Sequence, residues 1–448
     1  MRTAPLWRSP PARTTNLRRR SDPLEREVNK TQARRDAELI VALDIGTDRV
    51  EAIIGELPTV VGAREGGVAP SNLRVVGIGR APSKGLKKGV VVHIDATTQA
   101  IQQAVREAEQ MAEAQVHAVH TAISGAHLRA YNSIGVVAIQ DGEVRPSDLD
   151  RVIDAARALA IPADQRILHV IPQEYILDKD GGIRNPIGMA GVRLEARVHL
   201  VTAAVSATQN IAKCVERCGL QVEGLTLASL ASSHAVLTDD ERDLGVCLVD
   251  IGAGTTDIAV WINGALEHSA VLPVAGDQVT NDIAIALQTP TAYAEDIKTR
   301  YACALRSLAD PAHELEVPGV GDRPARRLSR QMLASVVEPR YEELFEQILL
   351  ELKRAGVDHR IPTGMVLTGG GARIEGVTEL AEEVFQRPVR VGSPIGVEGL
   401  QGLLTSPLHS TGVGLLRYAE RGRPDEIGER SRPPTIWQRV RERIADLF

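Results

Sequence analysis

Asp44-Ile45-Gly46-Thr47 is the first stretch able to do chemistry, and its residue types return at Asp250-Ile251-Gly252-Ala253-Gly254-Thr255-Thr256-Asp257. A glycine-containing turn after a strand exposes backbone N–H groups that cradle phosphate oxygens. Glycine suits such a turn because a side chain would block the close approach. Thr47, Thr255 and Thr256 add hydroxyl donors, and Asp44 and Asp250 stand where carboxylates can hold Mg²⁺, mostly through its waters. A third cluster, Thr368-Gly369-Gly370-Gly371-Ala372, follows another apolar run. Either Asp-Gly turn alone reads equally as ordinary turn chemistry. The recurrence, with the triple glycine behind it, favours a phosphate-binding cleft.

Such turns need strands to carry them. Residues 39–43 form a short β-branched apolar run ahead of Asp44, and 51–57 continue as a second strand. Residues 244–249 and 258–262 flank the second turn in the same way. A helix over 94–114 is expected, with Ile101, Val105, Ala108 and Met111 on one stripe. Residues 117–200 change character, with strand-like runs at 117–124, 134–139, 166–171 and 192–201 around one helix at 149–159. They read as a small α+β module inserted in a larger α/β chain. Helical pattern returns at 207–218 and over 329–355.

A chain of 448 residues suggests two or more domains. Aromatics are 3%, so the core must rest on Val, Ile, Leu and Ala. A net charge of -6 gives no general reason to expect nucleic-acid binding. Cys214 and Cys218 lie one helical turn apart without a completing zinc set, and all four cysteines read as reduced thiols. No run reaches the roughly 18 apolar residues a membrane span needs, and the N-terminus lacks the apolar stretch of a signal peptide. Membrane contact would therefore be peripheral. Residues 1–36 are rich in Arg and Pro and are expected to be disordered; Val28 would suit an alternative start.

The three glycine motifs resemble the phosphate-1, phosphate-2 and adenosine motifs of the actin, hexokinase and heat-shock ATPase superfamily. The resemblance implies two α/β lobes closing on ATP with Mg²⁺. It assigns the phosphates to Asp44, Gly46, Thr47, Arg49, Gly252, Gly254, Thr255 and Thr256, and the adenosine to Gly369, Gly370 and Gly371. Gly276-Asp277 opens a helix bordering the nucleotide. Glu295 and Lys298 match a pair that contacts ribose and base, or else form a surface salt bridge.

Within that superfamily the chain resembles the FtsA family over nearly its whole length. Ser124-Gly125-Ala126-His127, Leu168-His169-Val170-Ile171-Pro172-Gln173-Glu174-Tyr175, Leu237-Thr238-Asp239-Asp240-Glu241-Arg242 and Val336-Val337-Glu338-Pro339-Arg340-Tyr341 carry the likeness. It implies subdomain 1A at 37–116 and 201–243, and an inserted 1C at 117–200. It further implies 2A at 244–275 and 346–419, returning to 1A near its end, and 2B at 276–345. Gln173 and Glu174 fall in the insert and read as structural. The implied function is an actin-like cell-division protein that forms filaments and anchors the FtsZ ring. It would bind the FtsZ C-terminal peptide through 2B and later division proteins through 1C. The implied location is the cytoplasmic face of the bacterial inner membrane at the septum. An actin-like component of type IV pilus assembly, sharing the insert, is the alternative.

One departure bears on turnover. The water-orienting Gln or Glu of many superfamily ATPases falls here at or near Ala228, which can neither position nor activate water. Tight ATP binding with slow hydrolysis is the expectation, and His234, two turns on, reads as structural. At the other end, a polar linker at 420–434 leads to 435–448. There Trp437, Val440, Ile444, Leu447 and Phe448 fall on one helical face, with Arg439, Arg441 and Arg443 on the remainder. That pattern suits an amphipathic helix on an anionic membrane, or one docked on its own domain.

Overall fold

The computed structural model describes residues 38–57, 73–321 and 323–422. The first part of the chain gives β1 (Glu38–Ile45), β2 (Arg49–Leu57), β3 (Arg74–Pro82), α1 (Ile94–Ala112) and β4 (Ala118–Ile123). An inserted stretch follows: β5 (Arg129–Ala138), α2 (Pro146–Arg157), β6 (Gln165–Leu177), β7 (Asp180–Ile183) and β8 (Arg193–Ala204). Then come α3 (Val205–Glu216), β9 (Gln221–Leu227), α4 (Ala228–Val236), β10 (Val246–Ile251), β11 (Thr256–Ile262) and β12 (Ala265–Leu272). The last part holds α5 (Gly276–Leu287), α6 (Thr291–Tyr301), α7 (Arg330–Arg354), β13 (Met365–Thr368), α8 (Val377–Phe385), β14 (Val389–Val391), β15 (Glu398–Gly399) and α9 (Ser410–Glu420).

Two sheets carry the glycine turns, and they share a five-strand topology, to which the first adds β15 beside β3. The first runs β9-β4-β1-β2-β3-β15 and the second β14-β13-β10-β11-β12. In each, three consecutive strands pair antiparallel, and two later strands add in parallel beside the first. The repeat extends to register: Asp44 lies opposite Glu51, and Asp250 opposite Asp257. β10 and β11 are buried at every position, which is why they read as unbroken apolar runs rather than alternating ones.

Backbone approach fixes the helices on the first sheet. A Cβ at Gly79 on β3 would lie 1.9 Å from the Ala104 carbonyl of α1, and one at Gly77 would lie 2.4 Å from that of Ala108. Ile101, Ala104, Val105 and Ala108 are buried beneath this contact. Met111 is not part of the stripe: it is 44% exposed, because Ala112 takes the place opposite Gly77.

The inserted α+β module is a sheet of order β5-β8-β6-β7 with α2 packed across it. Val152, Ile153, Leu194, Ala196, Val198 and Leu200 belong to its own core. The sequence reading starts this module at 117, but β4 hydrogen-bonds β1 and β9 in the first large sheet. A strand feeding directly into an insertion cannot be separated from it by pattern alone. Likewise α7 is one continuous helix across the expected boundary at 345.

The module is carried by the first lobe, yet it is moored to the edge strand of the second. Gln173 Nε2 donates to the carbonyls of Leu266 and Glu267, each at 3.2 Å, and Asn132 Nδ2 donates to Glu267 at 3.2 Å. With that amide so oriented, Asn132 Oδ1 accepts from His199 Nδ1 at 2.7 Å, leaving His199 Nε2 to accept from Ser269 Oγ at 2.9 Å. Burial, reinforced by His268 and His169, pushes the His199 imidazole down to about 3, so it stays neutral. Arg184 adds contacts to Asp243 and the Asn263 carbonyl.

Candidate nucleotide-binding cleft

The two hairpin turns meet across a cleft of about 500 Å³, a volume in the range of small-molecule sites. Each turn closes with the same bond: Gly46 N–H donates to Arg49 C=O, and Gly252 N–H to Thr255 C=O, both at 2.9 Å. Those two amides are therefore spent on the turns. The residues between them, Thr47 and Asp48 on one side and Ala253 and Gly254 on the other, line the cleft. The turns also touch. A Cβ at Gly254 would lie 2.6 Å from Thr47 Oγ1, which accepts from the Gly89 amide at 3.2 Å.

The structure brings together most of the expected site. Asp44, Gly46, Thr47 and Arg49 of the first turn and Asp250, Gly252, Gly254 and Thr255 of the second all line the cleft. So do Gly276, Glu295, Lys298, Gly369, Gly370 and Gly371. Thr256 and Asp277 do not. Thr256 is fully buried, and its hydroxyl donates to the Val274 carbonyl at 2.7 Å. Strand alternation turns it away from the face that Thr255 shows the cleft. Asp277 is exposed at the start of α5, its amide donating to the Ala253 carbonyl at 2.8 Å.

The triple glycine has a packing reason besides ligand approach. Gly369 has φ +82, and a Cβ there would lie 2.3 Å from Asp250 Oδ1; one at Gly371 would lie 2.3 Å from Ile251 Cγ2. Glu295 and Lys298 pair at 2.7 Å, and Lys298 also donates to the Gly276 carbonyl and to Thr280 Oγ1. The pair is thus built into the cleft wall rather than laid on the outer surface.

Three carboxyl groups converge behind the turns. Burial pushes Asp44 up to about 7, with Glu51 and Asp250 adding to it. Burial likewise raises Asp250, and it raises Asp257 to about 7 with a contribution from Asp250. Ser124 Oγ donates to Asp257 Oδ2 at 2.8 Å, while Asp257 Oδ1 is buried with no hydrogen-bond partner. Crowded carboxyls and an orphaned oxygen fit a divalent cation, which would favour their ionised forms. Among the described residues no three His, Cys, Asp or Glu side chains form a direct ligand set. A cation here would be held largely through water and phosphate oxygens.

Sequence reasoning missed Asp257, Ser124 and Thr411 as cleft residues. Asp257 had a local signal, since it stands in its turn as Glu51 stands in the first. Ser124 and Thr411 had none, because they reach the cleft from distant segments. Ala228, at the start of α4, lines the cleft as the spacing predicts, with only a methyl group to offer. His234 is buried, tilted against Tyr418 and edge-on to Trp261.

A family model described as cell division protein FtsA matches residues 247–414, and one for the SHS2 domain inserted in FtsA matches 125–202. Cell division protein FtsA of Pseudomonas aeruginosa is 57% identical over 380 residues, covering 85% of this chain and 89% of the relative. The chain belongs to the FtsA family of cell division proteins. The Escherichia coli K12 relative is 46% identical over 393 residues, with 86% and 91% coverage.

Solved structures agree on the fold. A PilM–PilN type IV pilus biogenesis complex matches with a TM-score of 0.60 at 17% identity, covering 86% of this chain and 98% of that one. MreB5 of Spiroplasma citri bound to ADP matches at 0.53 and 13% identity, with 86% and 97% coverage. The fold is therefore actin-like α/β with an SHS2 insertion. The pilus likeness is one of fold alone, and the family identity sets that alternative aside.

Proposed function

We propose that this chain binds ATP with Mg²⁺, assembles into filaments and attaches the FtsZ ring to the cytoplasmic face of the inner membrane at the septum. The observation that carries the nucleotide reading is the pair of matched glycine turns facing each other across the cleft, with Gly369–Gly371 closing it. Arg49 supplies positive charge for phosphates, the intervening turn residues supply amides, and the Glu295–Lys298 pair borders the ribose and base. Asp44, Asp250 and Asp257 would orient the water shell of the cation, which when bound neutralises phosphate charge. Hydrolysis is slow because Ala228 leaves the attacking water without a positioning side chain. Nucleotide then acts chiefly as a conformational ligand.

The partners follow the family. The FtsZ C-terminal peptide is assigned to the 276–345 region, and later division proteins to the inserted module. The membrane contacts assigned to Trp437, Val440, Arg441, Ile444, Leu447 and Phe448 lie outside the described residues, as do the expected leader at 1–36 and most of the linker.

Two measurements test this reading. Millimolar ATP with Mg²⁺ should raise the melting temperature of the wild type, because a ligand selective for the folded state stabilises it. Asp250→Ala should abolish the shift. An immobilised FtsZ C-terminal peptide should retain the protein. A wild type indifferent to nucleotide would sink the ATP reading, and failure to bind the peptide would sink the anchoring role.

A further inference from the structure

Residues 408–411 form a short strap that touches all three glycine motifs in succession. Arg49, beside the first turn, donates to the Leu408 carbonyl. His409 is 2% exposed and donates from Nδ1 to Glu51 at 2.9 Å, while its Nε2 accepts from Arg80 at 3.1 Å. Ser410 Oγ lies 2.6 Å from the hydroxyl of Thr368, the residue before the triple glycine. Thr411 Oγ1 donates to Asp250 Oδ2 at 3.1 Å, and Ser232 of α4 donates to the same oxygen. The strap is thus pinned to the first lobe at 408–409 and to the second at 410–411.

The elements that meet there are the two that join the lobes. α4 runs from β9 of the first sheet to β10 of the second. α9 follows the return of the chain to the first sheet at β15, and it packs on β1, β2, β4 and α4. A Cβ at Gly414 would lie 1.9 Å from the Ala231 carbonyl, so the two helices cross in backbone contact. Ser232 and Thr411 lie 3.1 Å apart beside that crossing, and both hold one carboxylate oxygen in the cleft.

We propose that Thr411 is a positioning residue for Asp250, and that through this contact the crossing of α4 and α9 reads the occupancy of the cleft. This rests on the nucleotide reading above. With Oδ2 held by two hydroxyls, Oδ1 is the oxygen left to face a cation's water shell. A cation that draws Asp250 toward the phosphates pulls on Thr411 and Ser232 together, and so on both helices at their crossing.

The test uses the full chain and the variants Thr411→Val and Thr411→Ser. Amide hydrogen exchange is followed over residues 229–236 and 410–416 without nucleotide, with ATP in EDTA, and with ATP and Mg²⁺. In the wild type, ATP with Mg²⁺ should raise protection across the crossing, and ATP in EDTA should not. Thr411→Val should abolish that rise and weaken Mg²⁺-dependent ATP binding about tenfold, the loss of one hydrogen bond to a charged group. Its ATP affinity in EDTA should fall clearly less than its affinity with Mg²⁺, and Thr411→Ser should restore wild-type behaviour. Equal weakening with and without Mg²⁺ would mean Thr411 is merely structural and would overturn the proposal, as would a full protection rise in Thr411→Val. A wild type that binds no nucleotide at all would overturn the functional reading itself; one that binds but shows no rise overturns only this inference.

Discussion

Glu51 and Asp257 hold the same register in their two hairpins and are driven in opposite directions. Asp257 is buried beside Asp250 and is raised from 3.8 to about 7. A carboxyl raised on folding binds its proton more tightly in the folded state, so stability falls as pH climbs from about 4 to about 7 and is level above. Asp257→Asn should lessen that fall in a nucleotide-free melting-temperature series between pH 5 and pH 8, the remainder belonging to Asp44, which is raised to about 7 as well. It should also shrink the stabilisation by ATP and Mg²⁺ at pH 8. Glu51 is equally buried, but its hydrogen bond to His409 and the nearby cations overcome burial and hold it below 4.5. Its contribution is present above that value and lost as pH falls through the folded one. Glu51→Gln should destabilise the protein by about 1–3 kcal/mol at pH 7, since His409 and Arg80 lose a charged acceptor; urea unfolding measures it. Asp44, Gly46, Gly252 and the triple glycine were legible because each motif is local in sequence. Thr411 and Ser124 were not, since nothing in their own neighbourhoods marks them as companions of Asp250 and Asp257.

At the scale of elements, the strands on either side of each turn could be read from apolar runs, and α1, α2 and α7 from their periodicity. What pattern could not give was allegiance: β4 has the composition of the module that follows it and the hydrogen bonds of the sheet that precedes it. The crossing of α4 and α9 was equally hidden, because only Gly414 marks it. Gly414→Ala should force the helices apart and destabilise the chain by about 1–3 kcal/mol, read by urea unfolding. The junction of the module with β12 carries a pH prediction. His199 is a base whose folded value drops from 6.5 to about 3. The unfolded chain takes up that proton first, so the junction is at full strength above 6.5 and weakens as pH falls toward 3. Limited proteolysis near residues 129–132 and 265–272 should therefore be faster at pH 5 than at pH 7, after correction for protease activity.

For the whole molecule, the expected tail lies outside the described residues, and its role is a matter for vesicles. One short amphipathic helix binds lipid weakly, while a filament presents many at once. Trp437→Glu should release the protein from anionic vesicles in co-sedimentation and leave nucleotide binding intact; retention by a chain lacking 435–448 would remove the tail from the anchoring role. The mooring of the inserted module on β12 has a mechanical consequence of its own. Two lobes joined at one crossing would swing like a pair of jaws, but a strut rooted in one jaw and tied to the other restrains that swing. Gln173, Asn132 and His199 grip carbonyls and a hydroxyl spaced along a strand edge, where the repeat is about 3.3 Å per residue. Any change of jaw angle must therefore shift or break those contacts, so the opening of the lobes and the seat of the module on β12 change together.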